Sequence, residues 1–443
     1  MKKILSLILL LLFFSCTCEA KNFKQSVNSV INDSKISQNS ISISVKDADT
    51  GAKVYSLNDK ILFHPASVQK LLTIVPIVEI LGNDYNFKTE LYSRGNSAYV
   101  IKLGADPYLS TSDLKELVNR INQEQVKNIY IDDSIVEQKD WGEGWQWDDD
   151  LNPLMPRFSS YNLDRNLIKL TVMHREPNQQ ALIINPSKYP LVFINNVVTS
   201  DTNNVKISRD NVIASNALKL DGTVSSTVSK NIPNNNLKRY FKFKLTSVLE
   251  DRSIYLKAPY KNTVIVAEDK KVEEVIHPID SAVNDVLKNS NNMAIESMNK
   301  LAAAKFYQKT GTDTDGIKLI QAYYKRIGLD SSRIRITDAS GVSKNNLTDA
   351  DFISEFLVKN KDNAILTHMA TPGEGTLSNR LIPLKGNLQA KTGTLSDIST
   401  IAGLIKTKNG KNYAFCIMIN DPASSESEKK VLEDYIIRAL YYM

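Results

Sequence analysis

The sequence predicts an α/β (α+β) chain whose helical, apolar material is split by a long β-rich insertion. Three observations carry this prediction. A mainly apolar run follows Ser67 and reaches Leu81, as a buried helix would. From about Lys88, short strand-like runs separated by Asn, Asp, Ser and Pro clusters recur over more than about 100 residues, far too long a stretch for a loop. Helical periodicity then returns over 278–310 and is followed by alternating strands near the C-terminus.

The chain opens with Met1-Lys2-Lys3, an apolar run over Ile4–Phe14, and Ser15-Cys16-Thr17-Cys18-Glu19-Ala20. A basic start, a short apolar core and small residues predict a secretory signal peptide at 1–20, cleaved after Ala20. Phe13-Phe14-Ser15-Cys16 is a poor lipobox, and a lipoprotein anchored at Cys16 is the alternative. A chain of 443 residues corresponds to about two to four domains. Of three cysteines, only Cys416 lies outside the leader, so the mature chain has no internal disulfide to rely on. The formal net charge of +6 suits an anionic wall or membrane surface and is too weak and dispersed for nucleic acid. His64, His174, His277 and His368 form no metal-ligand spacing, and no phosphate-binding glycine loop is present; no metal or cofactor is expected.

Residues 21–40 are polar with helical tendency. Ile41–Val45 and Lys53–Leu57 alternate as strands around the turn at Asp47–Gly51. Pro76 predicts a kink or break in the Ser67 helix, and Gly82 its end. Strands are expected at Thr89–Ser93, Tyr99–Leu103, Asn128–Asp132, Leu167–Met173, Ala181–Asn185, Leu191–Val198 and Val205–Ser208. Residues from about 175 to 235 have the densest strands and turns and read as a domain nested in the insertion. Helices are expected at Leu237–Glu250, Pro278–Thr310 with a break near Lys288–Asn292, Gly316–Ile327, Asp349–Lys359 and Ser427–Tyr441. Leu388–Thr394, Ser399–Lys406 and Asn412–Ile419 are the last strands. The expected division is a first part at 21–88, inserted β-rich material at 89–260, and a second part of the first domain at 261–443.

Three short patterns could carry chemistry. Ser67 and Lys70 are three apart, on one helix face, near a helix N-terminus with unsatisfied N–H groups. A desolvated amine beside a serine can activate it as a nucleophile. The pattern is weak alone: Ser112/Lys115, Ser297/Lys300 and Ser427/Lys430 repeat it and read as ordinary helix positions. Ser290 and Asn292 interrupt apolar helical material, which would hold their side chains firmly. Lys391-Thr392-Gly393-Thr394 ends a strand, where a lysine, two hydroxyls and edge N–H groups could hold a carboxylate and an oxyanion. Gly393 would mark close approach of a backbone or ligand. The second copy, Lys309-Thr310-Gly311-Thr312, ends a helical block and reads as structural, with Gly311 as the helix cap.

Ser-x-x-Lys, Ser-x-Asn and Lys-Thr-Gly in this order resemble the signatures of the penicillin-recognising serine enzymes. Longer stretches sharpen the resemblance: Pro65–Thr73, Leu81–Phe87, Gly104–Leu109, Gly144–Asp149, Asp338–Ser343 and Ala390–Leu395. From about residue 40 onward the chain resembles the D-alanyl-D-alanine carboxypeptidase/endopeptidase family, the low-molecular-mass class C penicillin-binding proteins. Ala339 stands where that family usually has Gly, Lys344 where it commonly has Arg, and Met155–Asn162 follows the pattern loosely.

The resemblance implies a serine β-lactamase/transpeptidase-like domain interrupted by two inserted β-rich domains, one within the other. It implies that Ser67 attacks the penultimate D-alanine carbonyl, that Lys70 takes its proton, and that Ser290 and Lys391 relay a proton to the departing D-alanine. Ser67 and Thr394 N–H groups would form the oxyanion hole, Asn292 would hold the substrate amide, and Thr392, Gly393 and Thr394 would bind the terminal carboxylate. The implied partners are peptidoglycan stem peptides, with β-lactams as inhibitors, in the periplasm or cell envelope. A β-lactamase and an idle wall-binding scaffold are the competing readings; the oligomeric state is not legible.

Overall fold

The computed structural model describes residues 23–210, 216–256 and 260–443, so the expected signal peptide lies outside the described residues. The chain divides into two compact units. One comprises residues up to Ile80, Val283–Asn291 and Ile317–Met443; the other comprises Leu81–Ala282 and Asn292–Gly316.

The first unit is built on a five-stranded antiparallel sheet in the order Leu388–Leu395, Ile398–Lys406, Asn412–Asn420, Ile41–Asp47, Lys53–Leu57. Alternation along the strands gives it two buried faces. Ile41, Ile43 and Val45, with Tyr413, Phe415, Ile417 and Ile419, share one core with Phe23, Val27 and Ile31 of helical residues 23–33 and with Leu432, Ile436 and Leu440 of the helix Glu426–Tyr441. The opposite face carries Ser44, Cys416, Ala402 and Lys391 in one register row. There the helix Ala350–Lys359 packs, with Ser44 Oγ and Ser354 Oγ 2.7 Å apart. Burial on both sides explains the nearly continuous apolar run of Asn412–Asn420. The sheet also fixes where Lys391 points: away from the Ile41–Ile43 core, on the face of the helix Ala350–Lys359.

A 3-10 turn, Ala66–Val68, leads into the helix Gln69–Leu81. The break expected at Pro76 does not occur. Proline removes one i→i−4 hydrogen bond and leaves the Leu72 carbonyl without its helical donor. Tyr324 Oη, fully buried, donates to that oxygen at 3.0 Å, so the helix runs on.

The second unit holds a mixed five-stranded sheet in the order Lys261–Asn262, Asn128–Asp132, Ala98–Lys102, Asn86–Arg94, Lys270–Pro278, and two three-stranded sheets drawn from residues 167–233. Its core joins Leu91, Ile101 and Ile131 with Leu114 and Leu117 of the helix Thr111–Val118 and Phe241 and Leu245 of the helix Leu237–Glu250. The helix Asn292–Tyr307 ends on Gln308, whose φ of +53° makes it the left-handed terminator. Gly311 is therefore not the cap the sequence suggested. It bridges to Val136, and a Cβ there would lie 1.9 Å from the Lys300 carbonyl oxygen. Among the described residues, no helix is long and apolar enough to cross a membrane.

Candidate active site

Ser67 sits in the turn just before its helix, after Ala66, whose φ of +45° is left-handed. One helical step places Lys70 beneath it. Lys70 Nζ lies 2.9 Å from Ser67 Oγ and donates to the Ser340 carbonyl at 2.7 Å, with the lysine fully buried. The Ser340 carbonyl is presented by the loop Asp338–Ser343. The Asp338 carboxylate accepts from the N–H groups of Gly341 (2.7 Å) and Ser343 (2.8 Å) and from Asn346 Nδ2 (2.7 Å). Thr73 Oγ1, one turn along from Lys70, donates to the Ala339 carbonyl at 2.8 Å. Gly341 has φ +83°, and a Cβ there would stand 2.0 Å from the Ala66 carbonyl oxygen. This loop therefore fits against the serine turn only with glycine at that point.

Lys391 comes from the edge strand of the sheet and is fully buried. Its Nζ lies 2.9 Å from Ser290 Oγ and 2.7 Å from the Thr392 carbonyl oxygen. Burial, and then the charge of nearby Lys70, push its ammonium well below the usual lysine range. Two residues on, a Cβ at Gly393 would meet Thr400 Oγ1 at 2.3 Å and Ser67 N at 2.8 Å, so the strand backbone passes directly beside the serine. The Ala390 N–H bonds outward to the Ala370 carbonyl. By strand alternation the N–H groups of Thr392 and Thr394 face the same open edge. Thr392 is buried and Thr394 exposed.

Ser290 lies between the helices Ile279–Lys288 and Asn292–Tyr307, at φ +65°. A left-handed serine costs about 1 kcal/mol or more and is held only where its surroundings impose it. Ser67, Lys70, Ser290, Lys391, Thr392 and Gly393 thus converge within the first unit. Asn292 opens its helix in the other unit, where its carboxamide donates to the Leu154 carbonyl at 2.8 Å. The repeats behave differently. Lys309 pairs with Asp315 at 2.8 Å. Lys300 is no ordinary helix position: fully buried, it stands 3.6 Å from both Glu137 and Asp313. Lys344 pairs with Asp397 at 3.1 Å.

Sequence reasoning missed the Ser340 carbonyl, Thr73 and Asp338 as partners of the pair. A backbone acceptor leaves no trace in residue identity. Asp338 does leave one, because Asp followed three residues later by Gly is a turn signature.

An antiparallel sheet between helices, with the Ser67 turn set against its edge strand, is the transpeptidase-like fold of serine enzymes, here with inserted domains. Penicillin binding protein 4 (dacB) of Haemophilus influenzae matches it with a TM-score of 0.81 at 21% identity, covering 91% of this chain and 96% of that one. The same protein complexed with a β-lactam matches at 0.76 and 20% identity, over 94% and 99%. The chain belongs to the D-Ala-D-Ala carboxypeptidase 3 (S13) family, whose model matches residues 23–439. Two relatives, each 22% identical, are the D-alanyl-D-alanine carboxypeptidase DacB of Haemophilus influenzae (82% of each chain) and the D-alanyl-D-alanine carboxypeptidase of an Actinomadura species (95% of this chain, 84% of the relative). The family expected from the sequence is thereby established.

Proposed function

We propose that this carboxypeptidase-family chain is an exported serine DD-peptidase that cleaves D-Ala-D-Ala termini, and D-alanyl cross-links, of peptidoglycan through an ester on Ser67. The observation that carries the proposal is the meeting of two lysine–serine pairs, Lys70–Ser67 and Lys391–Ser290, in one buried site. Burial, and then the charge of Lys70, weaken the hold of Lys391 on its proton, as suits a donor to Ser290.

In the proposed reaction, Ser67 Oγ bonds to the carbonyl carbon of the penultimate D-alanine while its proton passes to Lys70 Nζ. The Ser340 carbonyl aims that nitrogen at Ser67. The developing oxyanion lies between the N–H groups of Ser67 and Thr394, each such donor worth about 2.7–4 kcal/mol. The open edge of the Lys391 strand and its passage beside Ser67 N support this placement. As the C–N bond breaks, the departing amine takes a proton from Ser290, replenished by Lys391. Thr392 and Thr394 bind the terminal carboxylate. Water then attacks the ester, its proton passing through Ser290 to Lys391 while Lys70 returns a proton to Ser67 Oγ, which gives the shortened peptide acid and restores Ser67 and both lysines.

A β-lactam would acylate Ser67 in the same way. Its ring nitrogen stays tethered after opening, so the ester persists. Residues 89–260, with 175–235 nested within them, are proposed as inserted domains; the separate three-stranded sheets from 167–233 support the nesting. Export rests on the leader at 1–20, and contact with stem peptides at a wall or membrane surface on the basic charge.

The test is incubation of the mature protein and Ser67→Ala with a fluorescent penicillin. A stable adduct present only in the wild type is expected. Absence of any adduct would refute the reading, and fast penicillin turnover would make the protein a β-lactamase. Product analysis on muropeptides then separates carboxypeptidase from endopeptidase activity.

A further inference from the structure

Ser290 is held in a backbone conformation that serine does not adopt by preference, and its two neighbours show what holds it. Asp285, buried in the last turns of the helix Ile279–Lys288, accepts from Asn289 Nδ2 on one carboxylate oxygen at 2.9 Å. It accepts from Asn291 Nδ2 on the other oxygen at 2.7 Å. Its backbone carbonyl also takes the N–H groups of Asn289 (3.0 Å) and Asn291 (3.3 Å). The residues immediately before and after Ser290 are thus tied to a single side chain, while Ser290, at φ +65°, turns its Oγ to Lys391 Nζ at 2.9 Å.

We propose that Asp285 is a positioning residue for the reaction: it clamps Asn289 and Asn291 so that Ser290 stays left-handed with its hydroxyl on Lys391. The inference rests on the serine-peptidase reading, in which that hydroxyl hands a proton to the departing nitrogen. A carboxylate is suited to this clamp because its two oxygens can serve two amide donors at once. An asparagine offers one acceptor oxygen and an amide group that donates, so it can hold only one of the two neighbours in this way. With one neighbour released, Ser290 is free to relax toward the right-handed region, carrying its Oγ away from Lys391.

The experiment measures the second-order rate at which a fluorescent penicillin acylates Ser67 in four proteins: wild type, Asp285→Asn, Ser290→Ala and the double variant, each checked for folding by circular dichroism. Misplacement of a relay group by an ångström costs about 100-fold, so Asp285→Asn is expected to slow acylation about 10- to 100-fold. In the Ser290→Ala background the same change should alter the rate less than about threefold, because there is no hydroxyl left to misplace. Equal losses in both backgrounds would make Asp285 a general structural residue and overturn the proposal. So would an unchanged rate in Asp285→Asn. Should Asp285→Asn fail to fold, the partly exposed Asn291→Ala removes one arm of the clamp and is held to the same two-background comparison. A wild type that takes no label overturns the serine-peptidase reading itself, an outcome distinct from a labelled wild type matched by Asp285→Asn.

Discussion

Gly393→Ala isolates the closeness of the edge strand to Ser67. The added methyl group would lie 2.3 Å from Thr400 Oγ1, 2.8 Å from Ser67 N and 3.0 Å from Ala66 Cβ. None of these neighbours can yield cheaply. Thr400 Oγ1 is committed to the Pro65 carbonyl at 2.8 Å, and the Ser67 N–H is a proposed oxyanion donor. Relief therefore requires the strand and the serine turn to part by on the order of 0.5–1 Å in a close-packed interior. Overpacking of this kind costs about 1–3 kcal/mol of stability. The same displacement, applied between the nucleophile and its donors, costs about 100-fold in rate. The assay is paired: the rate of penicillin labelling, and the urea midpoint of the same preparation. A Gly393→Ala protein labelled within about threefold of the wild-type rate would refute the claim that the strand's proximity to Ser67 N governs the reaction. A large loss of stability with unchanged labelling would refute it equally.

Lys391→Met keeps much of the side chain's length but leaves Ser290 without its proton source, and acylation should fall about 100- to 10,000-fold, read by stopped labelling time courses. Tyr324→Phe strips the donor from the Leu72 carbonyl that Pro76 cannot serve, and should cost about 1–3 kcal/mol in denaturant unfolding while leaving the labelling rate close to wild type. In the second unit, burial pushes the Asp313 carboxyl from 3.8 up to about 6, partly offset by Lys300. The native state then binds more protons than the unfolded chain between these values. Stability from this group is thus greatest below about pH 4 and declines as pH rises through 6, by about 3 kcal/mol in all. Subtracting the pH–stability curve of Asp313→Asn from that of the wild type should reveal this decline, and a difference curve rising with pH would contradict it.

Where a strand is half-buried or fully buried and regular, its residues declare it. Lys53–Leu57, Asn128–Asp132 and Leu167–Met173 lie where alternation placed them. Val228–Pro233 escaped notice because its exposed positions are polar, and Lys270–Pro278 because its apolar residues do not alternate by burial: Val275 is buried, Val272 and Ile276 are exposed, and the register shifts between Lys271 and Glu273. The helix Thr111–Val118 could have been found: Ser110 and Asp113 cap it reciprocally, a pattern visible in the letters. The break that Pro76 suggested is absent because its remedy is a tyrosine hydroxyl from a distant helix, which no local rule contains. Gly311 misled in the opposite way, since its reason is the crowding of another backbone rather than the end of its own helix. At the site, the letters supplied the serine and lysine side chains that the fold brings together. They were silent on what aims them: the Ser340 carbonyl, the Asp338 turn and the Asp285 clamp.

The bond from Tyr324 to Leu72 spans 252 positions. It means that the helix bearing Lys70 receives its missing hydrogen bond only from chain made after the whole β-rich stretch. The Ser340 carbonyl and Lys391 arrive later still. A chain emerging N-terminus first therefore carries its serine and its lysine long before it carries what makes them a pair, and closing so distant a contact is an entropic cost met only once the rest can fold. On the proposed mechanism, Ser67 thus stays inert until the later chain has been made. A fragment ending at residue 316 should show no penicillin label, and label on such a fragment would overturn this view of the site as the last thing the chain completes.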